Sequence, residues 1–308
     1  MYDIIIVGGG CAGYAAAMYA GRLNMKTLLL EGQRGGVLAV AGAVENYPGY
    51  INIDGFELVE EMRKHALEYD IDLKGEFAKD IKKKGKNFVV TGSKSYEGKT
   101  VLFSTGSEWR KLGVEGEEKF AAKGVHYCAL CDGPLYKGKT VAVVGGSDSA
   151  GKDALVLSEH AKHVFMIYRR EKIRPEPINL ARVEEKVKKG KITIINNTNV
   201  KEIKGKDMLT SVVLDKTFKG KNDLELDGLF IAIGHIPLSD LAVKVGVKVN
   251  KGKEIIINRK AETNVAGVFA AGDVADTHFK QAITGVAEAV LAAYGAYEYV
   301  SKQEVIAT

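Results

Sequence analysis

One pattern occurs twice in this chain and dictates most of what it can fold into. It is a short apolar run, a glycine-rich turn, a helical stretch and a second apolar run. The first copy is Asp3-Ile4-Ile5-Ile6-Val7, then Gly8-Gly9-Gly10-Cys11-Ala12-Gly13, a helical stretch over Tyr14 to Arg22, and Thr27-Leu28-Leu29-Leu30 ending in Glu31. The second is Thr140-Val141-Ala142-Val143-Val144, then Gly145-Gly146-Ser147-Asp148-Ser149-Ala150, a helix through Leu157, and Val164-Phe165-Met166-Ile167-Tyr168. Buried β-branched strands joined through helices make parallel sheets covered on both faces, so the fold class is α/β with two Rossmann-like dinucleotide-binding domains. In the first copy Gly8 permits the tight turn. Gly10 lets the backbone approach a pyrophosphate, and Gly13 lets helix and strand pack closely. The helix N-terminus aims amide donors and a positive dipole end at phosphates. Glu31 falls where a carboxylate accepts hydrogen bonds from a ribose. Because that acid repels a 2′-phosphate, the first turn suits FAD or NAD and disfavours NADP.

The second turn departs from the first. Ser147 stands where the pyrophosphate-approaching glycine is expected, and its side chain either crowds the phosphates or donates to them. Ser149 and Ala150 complete the turn, Ala150 being small enough for the third position. After the second strand come Arg169-Arg170, with Arg174 four residues later. Base thus replaces acid where the ribose is read. A guanidinium there grips a 2′-phosphate through two parallel bonds, which predicts NADP(H) at this second turn; ordinary surface charge is the competing explanation.

Between the copies lies His126-Tyr127-Cys128-Ala129-Leu130-Cys131-Asp132-Gly133-Pro134. Two cysteines at this spacing can close a small disulfide ring or open to a dithiol with a depressed thiol pKa. A structural zinc needs four ligands, and Cys11 is the only other cysteine in the chain. A purely structural disulfide would close too short a loop to constrain the unfolded chain much. Redox chemistry is the stronger reading because nucleotide turns flank the pair on both sides. Cys11 reads as a small packing residue. No metal is expected.

The 308 residues suggest about two domains, and 46% hydrophobic with 27% charged residues is ordinary for a globular chain. A net charge of +5 is spread along the sequence. The basic runs at Lys82-Lys83-Lys84 and Lys186 to Lys191 lack interleaved aromatics, so they read as solvated surface rather than a nucleic-acid site. No apolar run is long enough to span a membrane and no basic leader precedes the first strand, so a cytoplasmic location is expected.

The remaining stretches carry weaker signals. Gly35-Gly36 is either turn punctuation or a place for backbone to lie against the adenosine half of a flavin cofactor. Residues Gly55 to Tyr69 place Phe56, Leu58, Val59, Met62, Ala66 and Leu67 at helical spacing, predicting a helix packed on the core. Residues 71 to 103 alternate into short strands and run into Ser104-Thr105-Gly106. A buried run from Gly228 ends in Gly234-His235, and another from Val265 ends in Gly272-Asp273. That aspartate suits the ribitol or pyrophosphate side of a flavin, a plain turn being the alternative. Phe279 to Gly285 opens a long alanine-rich helix.

In these motifs the sequence closely resembles the low-molecular-weight thioredoxin reductases. The resemblance rests on Gly8 to Gly13 with Glu31, on Glu45-Asn46-Tyr47-Pro48-Gly49, and on Cys128-Ala129-Leu130-Cys131-Asp132-Gly133. It continues through Arg169-Arg170 with Arg174, Ala232-Ile233-Gly234-His235, and Gly272-Asp273 followed by Lys280-Gln281-Ala282. It implies an NADPH domain at 113–237 that carries the cysteine pair, inserted into a discontinuous FAD domain at 1–112 and 238–308. Hinges are implied near Gly113 to Gly116 and Gly234 to Pro237, and the assembly as a homodimer. FAD is expected on Gly8, Gly10, Gly13, Glu31, Gly35, Gly36, Asn46, Gly272, Asp273, Lys280, Gln281 and Ala282. NADPH is expected on Gly145, Ser147, Ser149, Ala150, Arg169, Arg170 and Arg174. The resemblance further implies that Cys131 is the sulfur nearest the flavin and Cys128 the interchange thiol. Asp132 is implied as the acid and base, its pKa raised by burial. The partner implied is thioredoxin or a thioredoxin-like or glutaredoxin-like protein. Three positions depart from the family pattern: Tyr168 for the usual histidine, Val37 for a flavin-contacting glutamine, and Leu238 for asparagine. Three alternatives stay in play: a different electron donor such as ferredoxin, the reductase half of a peroxide-reducing system, and a flavin-linked redox sensor without turnover.

Overall fold

The computed structural model describes residues 1–41 and 43–307. The chain opens with β1 (Tyr2–Val7), α1 (Cys11–Arg22), β2 (Thr27–Leu30), the short β3 (Ala43–Val44) and β4 (Ile53–Asp54), then α2 (Gly55–Leu67). Next come β5 (Ile71–Lys74), β6 (Asp80–Lys84), β7 (Asn87–Thr91), β8 (Ser95–Phe103) and β9 (Ser107–Trp109). The middle of the chain forms β10 (Val125–His126), α3 (Ala129–Asp132), β11 (Thr140–Val144), α4 (Asp148–His160), β12 (His163–Ile167) and α5 (Pro177–Lys188). It continues through β13 (Ile192–Ile195), β14 (Val200–Gly205), β15 (Leu209–Phe218), β16 (Lys221–Glu225) and β17 (Gly228–Ile231). The chain closes with β18 (His235–Pro237), α6 (Asp240–Lys244), β19 (Val268–Ala270) and α7 (Ala282–Ala307).

These elements form two compact units, one of Met1–Glu108 with Ile236–Thr308 and one of Trp109–His235. In the first, a seven-stranded sheet runs β5-β2-β1-β8-β7-β6, with β19 also paired to β8. The strand β8 changes partners along its length: residues 95–98 pair antiparallel with β7, and residues 98–103 run parallel to β1. Because side chains alternate across a strand, Ile4 and Ile6 enter one core with α1 and α7 while Ile5 and Val7 enter another with Phe88, Val90 and Phe103. Each of these wholly buried isoleucines contributes about 1.5–3 kcal/mol of transfer free energy. Close approach of α1 and α7 is set by small residues, Ala12, Ala16 and Ala20 on one helix and Ala289, Ala293 and Ala296 on the other.

The helix expected over Gly55 to Tyr69 ends at Leu67, with Asp54 as N-cap accepting from the Phe56 and Glu57 amides. Leu58, Val59 and Ala66 are buried, whereas Phe56 and Leu67 are exposed. At 100° per residue those two fall outside the stripe that 58, 59, 62 and 66 define.

In the second unit a five-stranded sheet runs β10-β17-β11-β12-β13, and all its pairings are parallel. Val141, Val143 and Phe230 pack against α4 on one face; Ala142, Val144 and Ile231 pack on the other against the antiparallel β14-β15-β16 sheet. The sheet's parallel register brings β10, and therefore the cysteine motif that follows it, beside Leu229 and Phe230 of β17. The two crossings between units pair as the ribbon β9-β18. Glu117, nearly wholly buried, accepts the Leu112 and Gly113 amides and the Tyr127 hydroxyl, which ties residues 112–117 into the second unit. Among the described residues no helix is long and apolar enough to cross a membrane.

Candidate active site

The cysteine pair is closed as a disulfide between Cys128 and Cys131, with Cα atoms 5.3 Å apart. Cys128 caps the one-turn α3, and its Sγ accepts the Cys131 amide at 3.1 Å. That turn brings Asp132 next to the second sulfur in sequence and directs its carboxylate toward β10, where Oδ2 lies 3.0 Å from His126 Nδ1. The imidazole is 7% exposed and the carboxylate 33% exposed, so the acid spans the step from interior to surface. Behind the imidazole, Nε2 lies 2.7 Å from the Tyr136 hydroxyl, and the ring stacks on Phe230 at 5.2 Å. Burial, with the Asp132 and Asp227 carboxylates near by, pushes the Tyr136 phenol up to about 12. His126 was visible in the sequence as the first residue of the motif. Its contact with Asp132 was not, because it depends on β10 and α3 folding back on each other.

The first glycine turn sits between β1 and α1. Gly8 has φ +118°, and a Cβ there would lie 2.2 Å from the Ser104 carbonyl oxygen; one on Gly13 would lie 1.9 Å from the Gly8 oxygen. Both positions are glycine because the protein itself fills the space. Gly10 is different. It is the N-cap of α1, no side chain caps that end, and a Cβ would meet nothing closer than the Gly35 oxygen at 4.0 Å. The room above Gly10 at the start of a twelve-residue helix fits the pyrophosphate of a dinucleotide, so the residues present suit the group the sequence predicted.

Glu31 is 7% exposed, and its Oε1 accepts the Tyr14 hydroxyl at 2.7 Å and Arg63 Nε at 2.8 Å. Tyr14 in turn receives the Gly35 amide, so Glu31 and Gly35 share one network. Neither Tyr14 nor Arg63 was singled out by sequence reasoning; they come from α1 and α2 and meet Glu31 only through packing. Gly36 follows Gly35, both with positive φ, in the turn beside Gly10.

The later predicted residues converge on the same unit. Gly272 has φ +80° and lies under Ala12 and Gly285, and Asp273 Oδ2 accepts the Ser107 hydroxyl at 3.3 Å. Lys280 donates to the Asp273 and Ala275 carbonyls and pairs with Glu254, so its ammonium is engaged in holding the Asp273 turn. Asn46 donates to Gln281 Oε1 at 2.9 Å across 235 residues of sequence, and Ala282 begins α7. Cys11, the residue after Gly10, has a thiol pushed up to about 12 by burial and by the Asp273 carboxylate.

In the second unit a Cβ on Gly145 would lie 2.3 Å from the Ala232 oxygen, much as at Gly8, while Ala150, fully buried, has room for its methyl where Gly13 has none. Ser147 takes the N-cap place of α4 that Gly10 takes in α1, and its hydroxyl makes no cap bond. Ser149 is exposed in the first helical turn. The arginines expected to read the ribose stand just beyond the position equivalent to Glu31. Val7 pairs with Leu30 and Val144 with Ile167, so the residue equivalent to Glu31 is Tyr168, not an arginine. Tyr168 packs across Gly146 as Glu31 packs across Gly9. Arg169, Arg170 and Arg174 are exposed on the connection beyond it, which is pinned to the turn by the Arg174 amide donating to the Gly146 oxygen at 2.6 Å. Burial raises the Asp148 carboxyl, but hydrogen bonds from Asn179 and the Glu176 amide and the ion pair with Lys152 outweigh it. The result lies below the ordinary carboxylate value.

A model of the family described as pyridine nucleotide-disulphide oxidoreductase matches residues 2–289. The chain is 38% identical to thioredoxin reductase of Treponema pallidum, covering 97% of both chains. It is likewise 38% identical to thioredoxin reductase of Bacillus subtilis, over 100% of this chain and 98% of that one. The crystal structure of Lactococcus lactis thioredoxin reductase in its FR conformation superposes with a TM-score of 0.92 at 35% identity, covering 98% of this chain and 100% of that chain. Two glycine turns, a cysteine pair closed between them in sequence, and full-length likeness to these enzymes lead to one conclusion. The chain belongs to the pyridine nucleotide-disulphide oxidoreductases, flavin-dependent enzymes, and among them to the thioredoxin reductases.

Proposed function

We propose that this protein is a thioredoxin-disulfide reductase that carries electrons from NADPH through FAD to Cys128–Cys131 and on to thioredoxin or a thioredoxin-like or glutaredoxin-like protein. One observation carries the reading: a closed disulfide with a carboxylate beside it, on the same unit as an arginine-bearing nucleotide turn. Gly8, Gly10 and Gly13 admit the FAD pyrophosphate to the N-terminus of α1, and Glu31, fixed by Tyr14 and Arg63, accepts from the adenosine ribose. Gly35 and Gly36 line the adenosine half. Asp273, held by Ser107 and the Lys280 clamp, faces the ribitol side, with Asn46, Gln281 and Ala282 at the start of α7. Gly145, Ser147, Ser149 and Ala150 take the NADPH pyrophosphate, and Arg169, Arg170 and Arg174 its 2′-phosphate. A bound flavin supplies the relay between a hydride donor and a disulfide.

Cys131 is the sulfur that receives the two electrons; the S–S bond breaks, and Asp132 delivers a proton to the departing thiolate. Cys128 then attacks the partner disulfide, forming a mixed disulfide and releasing one partner thiol. Cys131 displaces the second partner thiol and restores the Cys128–Cys131 bond. The reading includes a homodimer in the cytoplasm.

A donor other than NADPH has two observations in its favour, Tyr168 in the place of the histidine usual before the arginine pair and Ser147 in the place of glycine. Anaerobic titration of the yellow protein, with about one FAD per chain expected by the family's two-cofactor logic, decides the matter. NADPH should bleach the flavin far faster than NADH, and catalytic amounts should then reduce thioredoxin disulfide. Equal, slow bleaching by both nucleotides would assign a different donor. A wild-type enzyme reduced by NADPH that leaves thioredoxin oxidised would overturn the partner.

A further inference from the structure

Asp132 follows Cys131 directly in sequence, and its carboxylate has a protein partner. Its Oδ2 meets His126 Nδ1 at 3.0 Å, and His126 Nε2 meets the Tyr136 hydroxyl at 2.7 Å. The imidazole is clamped on its face by Phe230, 5.2 Å away and 25° from parallel, while Tyr136 approaches its edge at 75°. Three elements therefore fix one ring: β10 supplies the imidazole, β17 the stacking face, and the turn Gly133–Tyr136 the hydroxyl. We propose that His126 is the positioning residue of the acid–base beside the redox pair: its Nδ1–H holds the Asp132 carboxylate next to Cys131, and Tyr136 sets the tautomer that makes this possible.

A phenol keeps its proton at neutral pH, so Tyr136 donates and Nε2 accepts. The neutral imidazole then carries its proton on Nδ1, which points at Asp132. When Asp132 gives its carboxyl proton to a departing cysteine thiolate, the carboxylate left behind accepts the Nδ1–H bond, so the imidazole holds it in place through the transfer. The exchange balances: an attacking thiolate forms one S–S bond, the Cys128–Cys131 bond breaks, and the leaving sulfur takes the proton of Asp132. Among the described residues, several groups face this chain. Asp132 comes from α3 and Tyr136 from the following turn. Asp227 acts on Tyr136, Lys139 lies over its ring at 5.5 Å, α4 brings His160 near Gly133, and β17 adds only Phe230. The inference builds on the disulfide-reductase reading, but neither NADPH nor thioredoxin is needed to test it.

Asparagine and glutamine separate the two ends of the imidazole. His126→Asn places an amide N–H where Nδ1–H stands and keeps the bond to Asp132. His126→Gln reaches toward Tyr136 and loses it. The flavin-loaded protein is reduced with dithiothreitol at a series of pH values, the open thiols are counted by mass after alkylation, and rates are corrected for the dithiothreitol thiolate fraction. His126→Gln and His126→Leu should slow opening about tenfold or more, within the range general acids supply. His126→Asn should stay within about threefold of wild type, that spread being small beside a general acid's contribution. Tyr136→Phe, which keeps the ring packing, should fall between the two and serves if His126→Leu does not fold. Asparagine and glutamine variants that behave alike, or a Tyr136→Phe profile superimposable on wild type, would overturn the proposal. Failure of the wild type to reduce thioredoxin would instead bear on the proposed partner.

Discussion

Cys11 and the Cys128–Cys131 pair differ in environment more than in chemistry. Burial and the Asp273 carboxylate push the Cys11 thiol up to about 12, so at pH 8 almost none of it is thiolate, the nucleophilic form. After reduction, iodoacetamide at pH 8 should therefore label two cysteines in the folded protein and three in urea; mass spectrometry of tryptic peptides locates them. Within the pair, the roles are separable. Cys128→Ser and Cys131→Ser should each abolish disulfide reduction while retaining flavin, and only the variant keeping Cys131 should show a long-wavelength thiolate–flavin band. Appearance of that band in Cys131→Ser would exchange the two roles. At this scale the sequence exposed residues whose type and spacing carry meaning alone, such as Gly8, Glu31 and the cysteine pair. It could not expose Tyr14, Arg63, Glu117 or His126, because each matters through a contact made by another element.

The turn between β12 and α5 shows how elements are joined as well as formed. Asp148 in the first turn of α4 accepts the Glu176 amide and the Asn179 side chain at 2.9 Å each, fastening α5 to α4. Its folded-state pKa is depressed, so the stabilisation is present above the unfolded value of about 3.9 and is lost as pH falls through the folded value. Asp148→Asn keeps an acceptor but not the charge. It should cost about 1 kcal/mol at pH 7, the difference between charge-assisted and neutral hydrogen bonds, and almost nothing near pH 2. Denaturant unfolding at the two pH values checks this. On the same connection, Arg169→Ala with Arg170→Ala should weaken NADPH binding by a few kcal/mol, since each charge-assisted contact contributes about 1.5–3. NADH binding, measured by the same flavin-independent calorimetry, should change little. The strands and glycine turns were legible because β-branched runs and a missing side chain leave local marks. The place of Tyr168 opposite Glu31 was legible too, since each stands 23 residues after the first glycine of its turn, and the sheet register agrees.

Across the whole chain, the proposed cofactor sites fall on different units, and the proposed function therefore predicts a motion. The disulfide and the arginine-bearing turn belong to Trp109–His235, while the turn proposed for FAD belongs to Met1–Glu108 with Ile236–Thr308. One flavin must receive hydride from a nicotinamide and pass electrons to a disulfide, and the two donors and acceptors cannot occupy the same face together. One arrangement of the units should therefore reduce the flavin and another the disulfide. The sequence placed the first hinge near Gly113 to Gly116. Glu117 ties that segment into the second unit through two amides and a hydroxyl, and a Cβ on Gly116 would lie 2.2 Å from the Ile203 oxygen. The flexing peptides should instead be those at the crossings, 108–109 and 234–236. There Gly234 has φ +99° and open space where a side chain would be. Gly234→Ala would strain that backbone and should lower kcat while NADPH binding to the oxidised protein is unchanged. A cross-link between the units that holds the disulfide at the flavin should stop reduction of the flavin by NADPH yet leave one turnover from pre-reduced flavin to the disulfide. Rapid-mixing absorbance follows both steps, and sustained multiple turnover in the locked enzyme would rule the motion out.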